Sequence, residues 1–174
     1  MAAVIIDGYN LIGTGHRNLE QAREALIQQL LKYRQIKHHD VTVVFDGHKM
    51  GPGSERRMVR GLVAIIYSGL GESADDVIKR RIVQEPGHWI VVTSDRAIEQ
   101  FAWSHGAVPI PSGRFAVILE RLQSGEVLPR EAGDEMPVSW KEDDEEGERP
   151  SRRGGNPHRL SGRDRAIRQA LSKL

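Results

Sequence analysis

Short apolar runs alternate with longer stretches in which apolar residues recur every three or four positions over residues 1–125. The period of the longer stretches predicts helices, and the short runs have the length of strands. Five strands are predicted, at residues 2–6, 41–45, 62–67, 89–92 and 107–110. Most of these runs are continuously apolar, which is typical of strands covered by helices on both faces. The alternation of strands with helices predicts an α/β domain with a parallel sheet.

Helical periodicity separates most of the strands. In residues 19–33, Ala22, Leu26, Leu30 and Tyr33 recur at spacings of three and four, which predicts an amphipathic helix. Further helices are predicted at residues 73–83, 95–105 and 112–122. Residues 46–61 (DGHKMGPGSERRMVRG) instead predict a long loop rich in glycine and basic residues. Long loops in compact domains are often functional.

Acidic residues stand at or just after four of the predicted strands. They are Asp7, Asp46, Asp75, Asp76 and Asp95. The carboxyl ends of parallel strands gather at one edge of the sheet, where ligands usually bind. Helix capping alone would explain Asp75, Asp76 or Asp95 taken singly. Asp7 and Asp46 directly follow buried strands, where an acid is costly unless it is paired, hydrogen-bonded or bound to a metal.

Taken together, these carboxylates predict a cation site. Carboxylates grouped at one edge repel one another unless a cation lies between them, and such oxygen ligands suit Mg²⁺ or Mn²⁺. Ions of this kind activate water and neutralise charge on phosphate. The sequence therefore predicts phosphoryl transfer or phosphodiester hydrolysis.

Composition narrows the class of protein. The chain has no cysteine, which excludes disulfide scaffolds, zinc ribbons and thiol catalysis. No apolar run approaches the ~20 residues of a membrane-spanning helix, and the first residues do not have the pattern of a secretory leader. We therefore expect a cytoplasmic protein with no membrane partner.

The net charge of +1 conceals three regions of different charge. Residues 1–130 carry 16 basic and 14 acidic groups, residues 131–148 carry one lysine and nine acids, and residues 149–174 carry eight basic groups and one acid. The segment KEDDEEGERPSRRGGNPHR has too few apolar residues to form a core. We predict a folded domain at residues 1–128, a flexible acidic-then-basic linker at 129–160 and a basic amphipathic helix at 161–174. This charged tail either solubilises the chain or docks on RNA.

Five motif segments occur in order along the chain. They are IIDGYNLI at residues 5–12, VVFDGH at 43–48, ESADDVIKR at 72–80, VTSDRAI at 92–98 and PSGRFAVILERL at 111–122. These segments resemble the YacP-like NYN domains, metal-dependent ribonucleases of the PIN-like group. The resemblance implies a three-layer PIN-like, Rossmann-like domain with a mostly parallel central sheet flanked by helices. It also implies an endoribonuclease that cleaves single-stranded RNA and leaves 5′-phosphate and 3′-hydroxyl ends.

The resemblance also implies roles for individual residues. The implied catalytic set is Asp7, Asn10, Asp46, Asp75, Asp76, Ser94 and Asp95. Within it, Asp7, Asp75 and Asp95 would hold Mg²⁺ or Mn²⁺, and Asn10 and Ser94 would be polar supports beside them. The other two acids would have secondary roles. Asp46 would orient the loop, and Asp76 would be an outer or fourth carboxylate.

An RNA substrate requires cations near the acids and favours aromatic rings for base stacking. The candidates for RNA contact are Tyr9, Lys49, Arg56, Arg57, Arg60, Arg96 and Arg114. The basic run at residues 79–81 is more typical of a solvated helix face. Messenger RNA and the ribosome are further candidate partners, and the sequence leaves the oligomeric state open.

Two other functions use similar residues. A dehalogenase-type phosphatase would have a second aspartate two positions after the first, where this chain has Tyr9. An RNA-binding module without catalysis is expected to lack one of the metal acids, and Asp7, Asp75 and Asp95 are all present. Phosphate-loop and dinucleotide-binding motifs are absent from the sequence. The sequence therefore favours the nuclease.

Overall fold

The structure is a computed structural model that describes residues 2–13, 17–47, 53–85, 89–125 and 161–174. Its strands are β1 (Ala3–Asp7), β2 (Asp40–Phe45), β3 (Arg56–Arg60), β4 (Val63–Tyr67), β5 (Trp89–Val92) and β6 (Val108–Ile110). Its helices are α1 (Gly8–Ile12), α2 (Leu19–Lys37), α3 (Ala74–Gln84), α4 (Arg96–Ser104), α5 (Ser112–Ser124) and α6 (Gly162–Lys173). None of the helices in these described ranges is long and apolar enough to cross a membrane.

The strands form one sheet in the order β3-β4-β2-β1-β5-β6. Every neighbouring pair is parallel except β3 and β4, which are antiparallel. The predicted α/β class with a mostly parallel sheet is therefore confirmed. Because β1 lies between β2 and β5, the carboxyl end of β1 is flanked by the carboxyl ends of both neighbours.

The prediction of a loop throughout residues 46–61 is wrong. Residues Arg56–Arg60 form the edge strand β3, and Gly61 and Leu62 form the turn into β4. Leu62, predicted to begin the next strand, has a φ of 71° and belongs to this turn. All five β3 residues are exposed, so the strand pairs through its backbone and has no apolar face to mark it in the sequence.

Apolar side chains cover the two faces of the sheet in separate cores. On one face, Ile6, Val43 and Ile65 pack with residues of α2, α5 and α6. On the other face, Ile5 and Val44 pack with residues of α3 and α4. The result is the three-layer arrangement of helices, sheet and helices.

Helix α6 joins the first of these cores. Ala170 and Leu174 are buried in it, and Ile167 and Leu171 pack against it. These four residues form the apolar face of the amphipathic helix predicted at residues 161–174. The helix contacts β6, and the ring nitrogen Nε2 of His39 lies 2.6 Å from the carbonyl oxygen of Lys173. Residues 161–174 are therefore part of the packed body, while the predicted linker at 129–160 lies outside the described residues.

Candidate active site

The predicted acids lie around the carboxyl ends of the central strands. Asp7 ends β1, Asp46 directly follows β2, and Asp95 comes three residues after the end of β5. Asp75 lies in the first turn of α3. Electrostatic interactions join these acids, since Asp75 and Asp95 act on Asp7, and Asp46 and Asp95 act on Asp75. The fold thus brings together acids that are far apart in sequence.

Asp7 is the most buried of these acids, with 7% of the residue exposed. Burial raises its pKa to about 6, and the negative charges of Asp75 and Asp95 act in the same direction. The backbone N–H of Asn10 donates to Asp7 Oδ1 over 3.1 Å and partly offsets this effect. Asp7 is therefore held at the end of β1 in surroundings that disfavour its charge.

Gly8 explains how Asp7 can begin a helix so close to the sheet. A Cβ atom at Gly8 would lie 2.3 Å from a ring carbon of Phe45. Only glycine allows the chain to turn from β1 into α1 this close to the Phe45 ring. The Asp-Gly-Tyr-Asn sequence therefore has a packing requirement in addition to its polar residues.

Neighbouring aspartates at the start of α3 have opposite pKa shifts. Burial, followed by the charges of Asp95, Asp76 and Asp46, raises the pKa of Asp75, while Lys79 lowers it. Asp76 forms a capping box with Ser73, whose N–H and Oγ–H both donate to Asp76 Oδ2, over 3.0 and 2.7 Å. These bonds lower the pKa of Asp76. Asp75 therefore belongs electrostatically to the acidic edge, whereas the Asp76 carboxylate caps α3.

Asp95 caps α4. Its Oδ1 accepts hydrogen bonds from the backbone N–H groups of Ala97, over 2.7 Å, and Ile98, over 3.1 Å. Its own N–H donates to Oγ1 of the buried Thr93 over 3.1 Å. These contacts fix the carboxylate at the helix N-terminus, where the helix dipole favours a negative charge.

A hydrogen-bond network joins three elements beside the acids. Asn10 Oδ1 accepts from the N–H of Ser94, over 3.1 Å, and from the hydroxyl of Ser112, over 2.9 Å. The N–H of Ser112 donates to Ser94 Oγ over 3.1 Å. The network ties α1 and the start of α5 to the segment after β5, and it joins Asn10 to Ser94. Ser112 is a further member, marked in the sequence only by its place in the closing motif.

The donor set fits a hard divalent cation. The charges of neighbouring acids add to the raised pKa of Asp7 and of Asp75, and a cation among these carboxylates would remove that repulsion. In the described part of the chain, no three acidic or histidine side chains already converge as a metal cage. Mg²⁺ is commonly held by one or two carboxylates together with water, so a closed cage is not required. Asp7, Asp75 and Asp95 are the residues with the chemistry to hold it.

The predicted basic residues are distributed differently from a single loop cluster. Arg56 pairs with Tyr67 in the sheet register, near the carboxyl end of β4. Arg60 lies at the opposite end of β3, where its Nη1 donates to Glu24 Oε2 over 2.8 Å. Arg57 points to the other face of the sheet, because side chains alternate along a strand. Lys49 lies outside the described residues.

The remaining candidates for RNA contact lie on three helices. Arg96 is the exposed first residue of α4, directly after Asp95. Tyr9 lies in α1, and its hydroxyl accepts a hydrogen bond from Arg23 over 3.1 Å. Arg114 lies in the first turn of α5 and acts electrostatically on Asp164 of α6. The candidates therefore come from separate elements, and Arg96 is the basic one that directly follows an acid of the site.

The basic run on α3 has mainly structural contacts. Arg80 forms ion pairs with Glu72 and Glu55, and Arg81 lies 3.8 Å from Glu55. Lys79 interacts electrostatically with Asp75. The prediction of a solvated face therefore omitted these ion pairs, which join α3 to the segment before β3.

Comparison with protein families identifies the class. Residues 4–142 match the model of the YacP-like NYN domain, so the chain belongs to this family. NYN domains are typically nucleases of the PIN-like group that act on RNA and generally use divalent metals. The resemblance stated from the sequence motifs is confirmed.

Relatives from one bacterium are similar to this chain. The uncharacterized protein YacP of Bacillus subtilis (strain 168) is 32% identical in an alignment 87 positions long that covers 46% of this chain and 51% of that protein. The chain thus spans about half the length of the curated relative it matches. A crystal structure of Rae1 (YacP) from Bacillus subtilis has a TM-score of 0.59 at 27% identity, covering 72% of this chain and 77% of that chain. A single-substitution mutant of Rae1 has a TM-score of 0.61 at 24% identity, covering 72% and 79%.

Proposed function

We propose that this chain is a metal-dependent endoribonuclease that hydrolyses phosphodiester bonds of single-stranded RNA. The observation that carries this proposal is the group of Asp7, Asp75 and Asp95, in which a buried carboxyl with a pKa of about 6 has two further acids as electrostatic neighbours. Such a group is costly to maintain unless a cation joins it. Membership of a family of typical nucleases supports the same chemistry.

The acids and their supports have distinct roles in this proposal. Asp7, Asp75 and Asp95 hold Mg²⁺ or Mn²⁺, with Asp46 as a nearby acid that adds to the negative potential. When bound, such a cation lowers the pKa of a water molecule and offsets the charge that develops on the phosphate. Asn10 and Ser94, together with Ser112, hold α1, α5 and the segment after β5 in fixed relative positions. Asp76 acts through α3, because its capping bonds fix the first turn that carries Asp75.

Basic side chains around the acids hold the RNA backbone. Arg96 follows a metal acid directly, and Arg56 and Arg57 lie at the end of β3 that is nearer the carboxyl edge. Arg60 is engaged with Glu24 at the far end, and we assign it to the fold rather than to RNA. Arg114 and Lys49 remain candidates for phosphate contact. The products would carry 5′-phosphate and 3′-hydroxyl ends, and messenger RNA, free or on the ribosome, is the proposed substrate.

The proposal is tested with purified protein and end-labelled single-stranded RNA in Mg²⁺, in Mn²⁺ and in EDTA. We expect internal cleavage that requires a divalent cation and is lost in Asp7→Asn. A matched control is Asp40→Asn, since Asp40 lies at the opposite end of the sheet, exposed, with Arg34 3.8 Å away. The control variant should cleave RNA as the unsubstituted protein does.

The outcomes separate the alternative functions. RNA binding without cleavage in any metal would contradict the nuclease and favour a binding module of the same fold. Release of phosphate from p-nitrophenyl phosphate, without cleavage of RNA, would favour the phosphatase. Equal cleavage by Asp7→Asn and the unsubstituted protein would contradict the assignment of the activity to these acids.

A further inference from the structure

A pocket of about 630 Å³ opens beside the carboxyl end of β4, on the sheet face covered by α2. Its lining includes Asn18, Glu20, Gln21, Arg23, Glu24 and Tyr67. Most of these side chains are polar and come from the first two turns of α2 or its N-cap. The pocket is separate from the acids that we assign to the metal.

Arg23 is the unusual residue in this pocket. It is only 8% exposed, and its Nη1 donates to the hydroxyl of Tyr9 over 3.1 Å. Its guanidinium carbon lies 5.9 Å from the centre of the Tyr67 ring. Among the residues that the structure describes, no carboxylate forms an ion pair with Arg23. A buried guanidinium without an acid is costly, whereas its planar fork of donors is well suited to a ligand.

Aromatic rings connect this pocket to the acidic edge. Tyr67 stacks on Phe45 with ring centres 5.6 Å apart, and Tyr9 packs edge-on against Phe45 at 5.5 Å. Tyr9 is two residues after Asp7 in the sequence. Since β4 is two strands away from β1, Tyr67 lies about 10 Å along the sheet from the strand that carries Asp7. This short separation suits consecutive nucleotides of one extended RNA molecule.

We infer that this pocket binds one unpaired nucleobase of the RNA strand, next to the bond that is cleaved. Unpaired bases are recognised by stacking on aromatic rings or guanidinium planes and by hydrogen bonds to their edges. Tyr67 and Arg23 supply those surfaces, and the Arg23 fork can donate to ring nitrogen and carbonyl acceptors of a base. The inference rests on the proposed function, since it assigns part of the same RNA substrate.

The acids in the pocket favour a base over a phosphate group. Glu20 and Glu24 line it; because Glu24 is paired with Arg60, the Glu20 carboxylate is the one that would repel a phosphate. The Glu20 carboxylate can also accept hydrogen bonds from the amino groups of bases, and the amides of Asn18 and Gln21 can donate or accept. A nucleobase presents both donors and acceptors, so it matches this mixed lining. The pocket would therefore contribute to which nucleotide is accepted beside the cleaved bond.

The test is a series of single-stranded RNA oligonucleotides, each cleavable at one mapped bond and each lacking the base at one successive position. With the unsubstituted protein, we expect loss of the base at one position next to the bond to reduce kcat/KM about tenfold or more. In Tyr67→Leu and Arg23→Gln this penalty should disappear. In Tyr67→Phe, which retains the ring, it should persist. Arg121→Gln, on the exposed surface of α5, is the control for loss of a positive charge and should retain the full penalty.

Affinity measurements separate this inference from the proposed function. The same oligonucleotides are bound to Asp7→Asn, and dissociation constants are measured by fluorescence anisotropy. If the unsubstituted protein does not cleave RNA but binding depends on the base, the proposed nuclease activity is refuted and the proposed base-binding pocket is supported. The penalty should also decrease in Glu20→Ala, which removes an acceptor from the pocket lining. Cleavage with an equal response at every position, or a penalty that persists in both Tyr67→Leu and Glu20→Ala, would refute the binding of a base in this pocket. Circular dichroism checks the fold of Arg23→Gln, and the exposed Glu20 supplies the variant that does not disturb a buried residue.

Discussion

Two groups of acidic residues border α3, and their surroundings differ. Glu55 and Glu72 both form ion pairs with Arg80, so their charges are compensated within the protein. Asp7 and Asp75 instead have acids among their electrostatic neighbours, and the pKa of both is raised. Ion-paired acids need no ligand to balance their charge, whereas carboxylates that repel one another destabilise the folded protein. This difference supports the proposal that a cation from outside the chain binds at the carboxyl edge.

The clearest contrast between compensated and uncompensated acids is found at two adjacent residues of α3. Asp75 and Asp76 share the first turn of α3, yet capping bonds lower the pKa of Asp76 while burial raises that of Asp75. Asp76 lies at the third position of the helix, where its side chain completes the capping box with Ser73. Asp75, one residue earlier, makes no such bond with Ser73 and has acids of the carboxyl edge as electrostatic neighbours.

The largest expected effect is on catalysis at the edge. Asp95→Asn should reduce RNA cleavage by about 1,000-fold or more, because it removes a charge that holds the cation while the amide oxygen can still cap α4. Glu72→Gln, in the compensated group, should reduce cleavage by less than about threefold. Single-turnover cleavage of labelled RNA measures both, and retained activity in Asp95→Asn would refute the assignment.

The next-largest expected effect is on stability. Here a substitution at the acidic edge should stabilise the protein, whereas the previous one impairs its activity. Asp7 has a usual pKa of 3.8, which the folded state raises to about 6. Asp7 therefore ionises more readily in the unfolded chain than in the folded protein. The resulting loss of folding stability is absent below pH 3.8 and complete above about pH 6. Asp7→Asn should stabilise the metal-free protein by about 3 kcal/mol at most near pH 8, since one pKa unit corresponds to about 1.4 kcal/mol.

Urea unfolding with EDTA at a series of pH values measures this difference. The gain from Asp7→Asn should decline as the pH falls from about 6 to 3.8. Added Mg²⁺ should stabilise the unsubstituted protein and reduce the gain. A variant that is less stable than the unsubstituted protein near pH 8 would contradict the cost assigned to Asp7.

A smaller effect is expected for the network beside the acids. Asn10→Ala removes the acceptor shared by Ser94 and Ser112, and it should reduce cleavage by about 10- to 100-fold. If Asn10 is a positioning residue, the Mg²⁺ concentration for half-maximal cleavage should rise as well. Ser112→Ala should change both quantities in the same direction and by less. A lower rate with an unchanged metal requirement would restrict Asn10 to a structural role.

The smallest effect is expected at the cap of α3. Ser73→Ala removes a side-chain acceptor at the helix N-terminus and should cost about 1 kcal/mol of unfolding free energy. Cleavage at saturating metal should remain within about threefold, because Asp75 keeps its carboxylate. Urea unfolding and cleavage assays on one preparation test this separation of stability from activity.

The parts of the fold that could be predicted are those with buried apolar periodicity. Strands β1, β2 and β5 consist mainly of buried apolar residues, and the predicted helices match α2 to α5 within a few residues. Strand β3 was missed because all its side chains are exposed and its pairing with β4 depends on the backbone. Helix α1 was missed because five residues are too few to show a helical period.

The candidate site could be predicted where the sequence places acids after strands. Because β2, β1 and β5 are neighbours in the sheet, Asp46, Asp7 and Asp95 lie at or just after neighbouring strand ends. Ser112 and Arg23 could not be predicted from pattern, since Ser112 acts through contacts with distant residues. Arg23 is a charged residue on the buried side of α2, where periodicity leads one to expect an apolar side chain.

The most direct test of the central claim is the binding of Mn²⁺ to the purified protein, measured by isothermal titration calorimetry. We expect binding that weakens at least about tenfold in each of Asp7→Asn, Asp75→Asn and Asp95→Asn. Asp40→Asn and Glu72→Gln, whose acids have basic partners, should bind Mn²⁺ as the unsubstituted protein does. Equal Mn²⁺ affinity in all six proteins would contradict the claim that the carboxyl edge holds the cation.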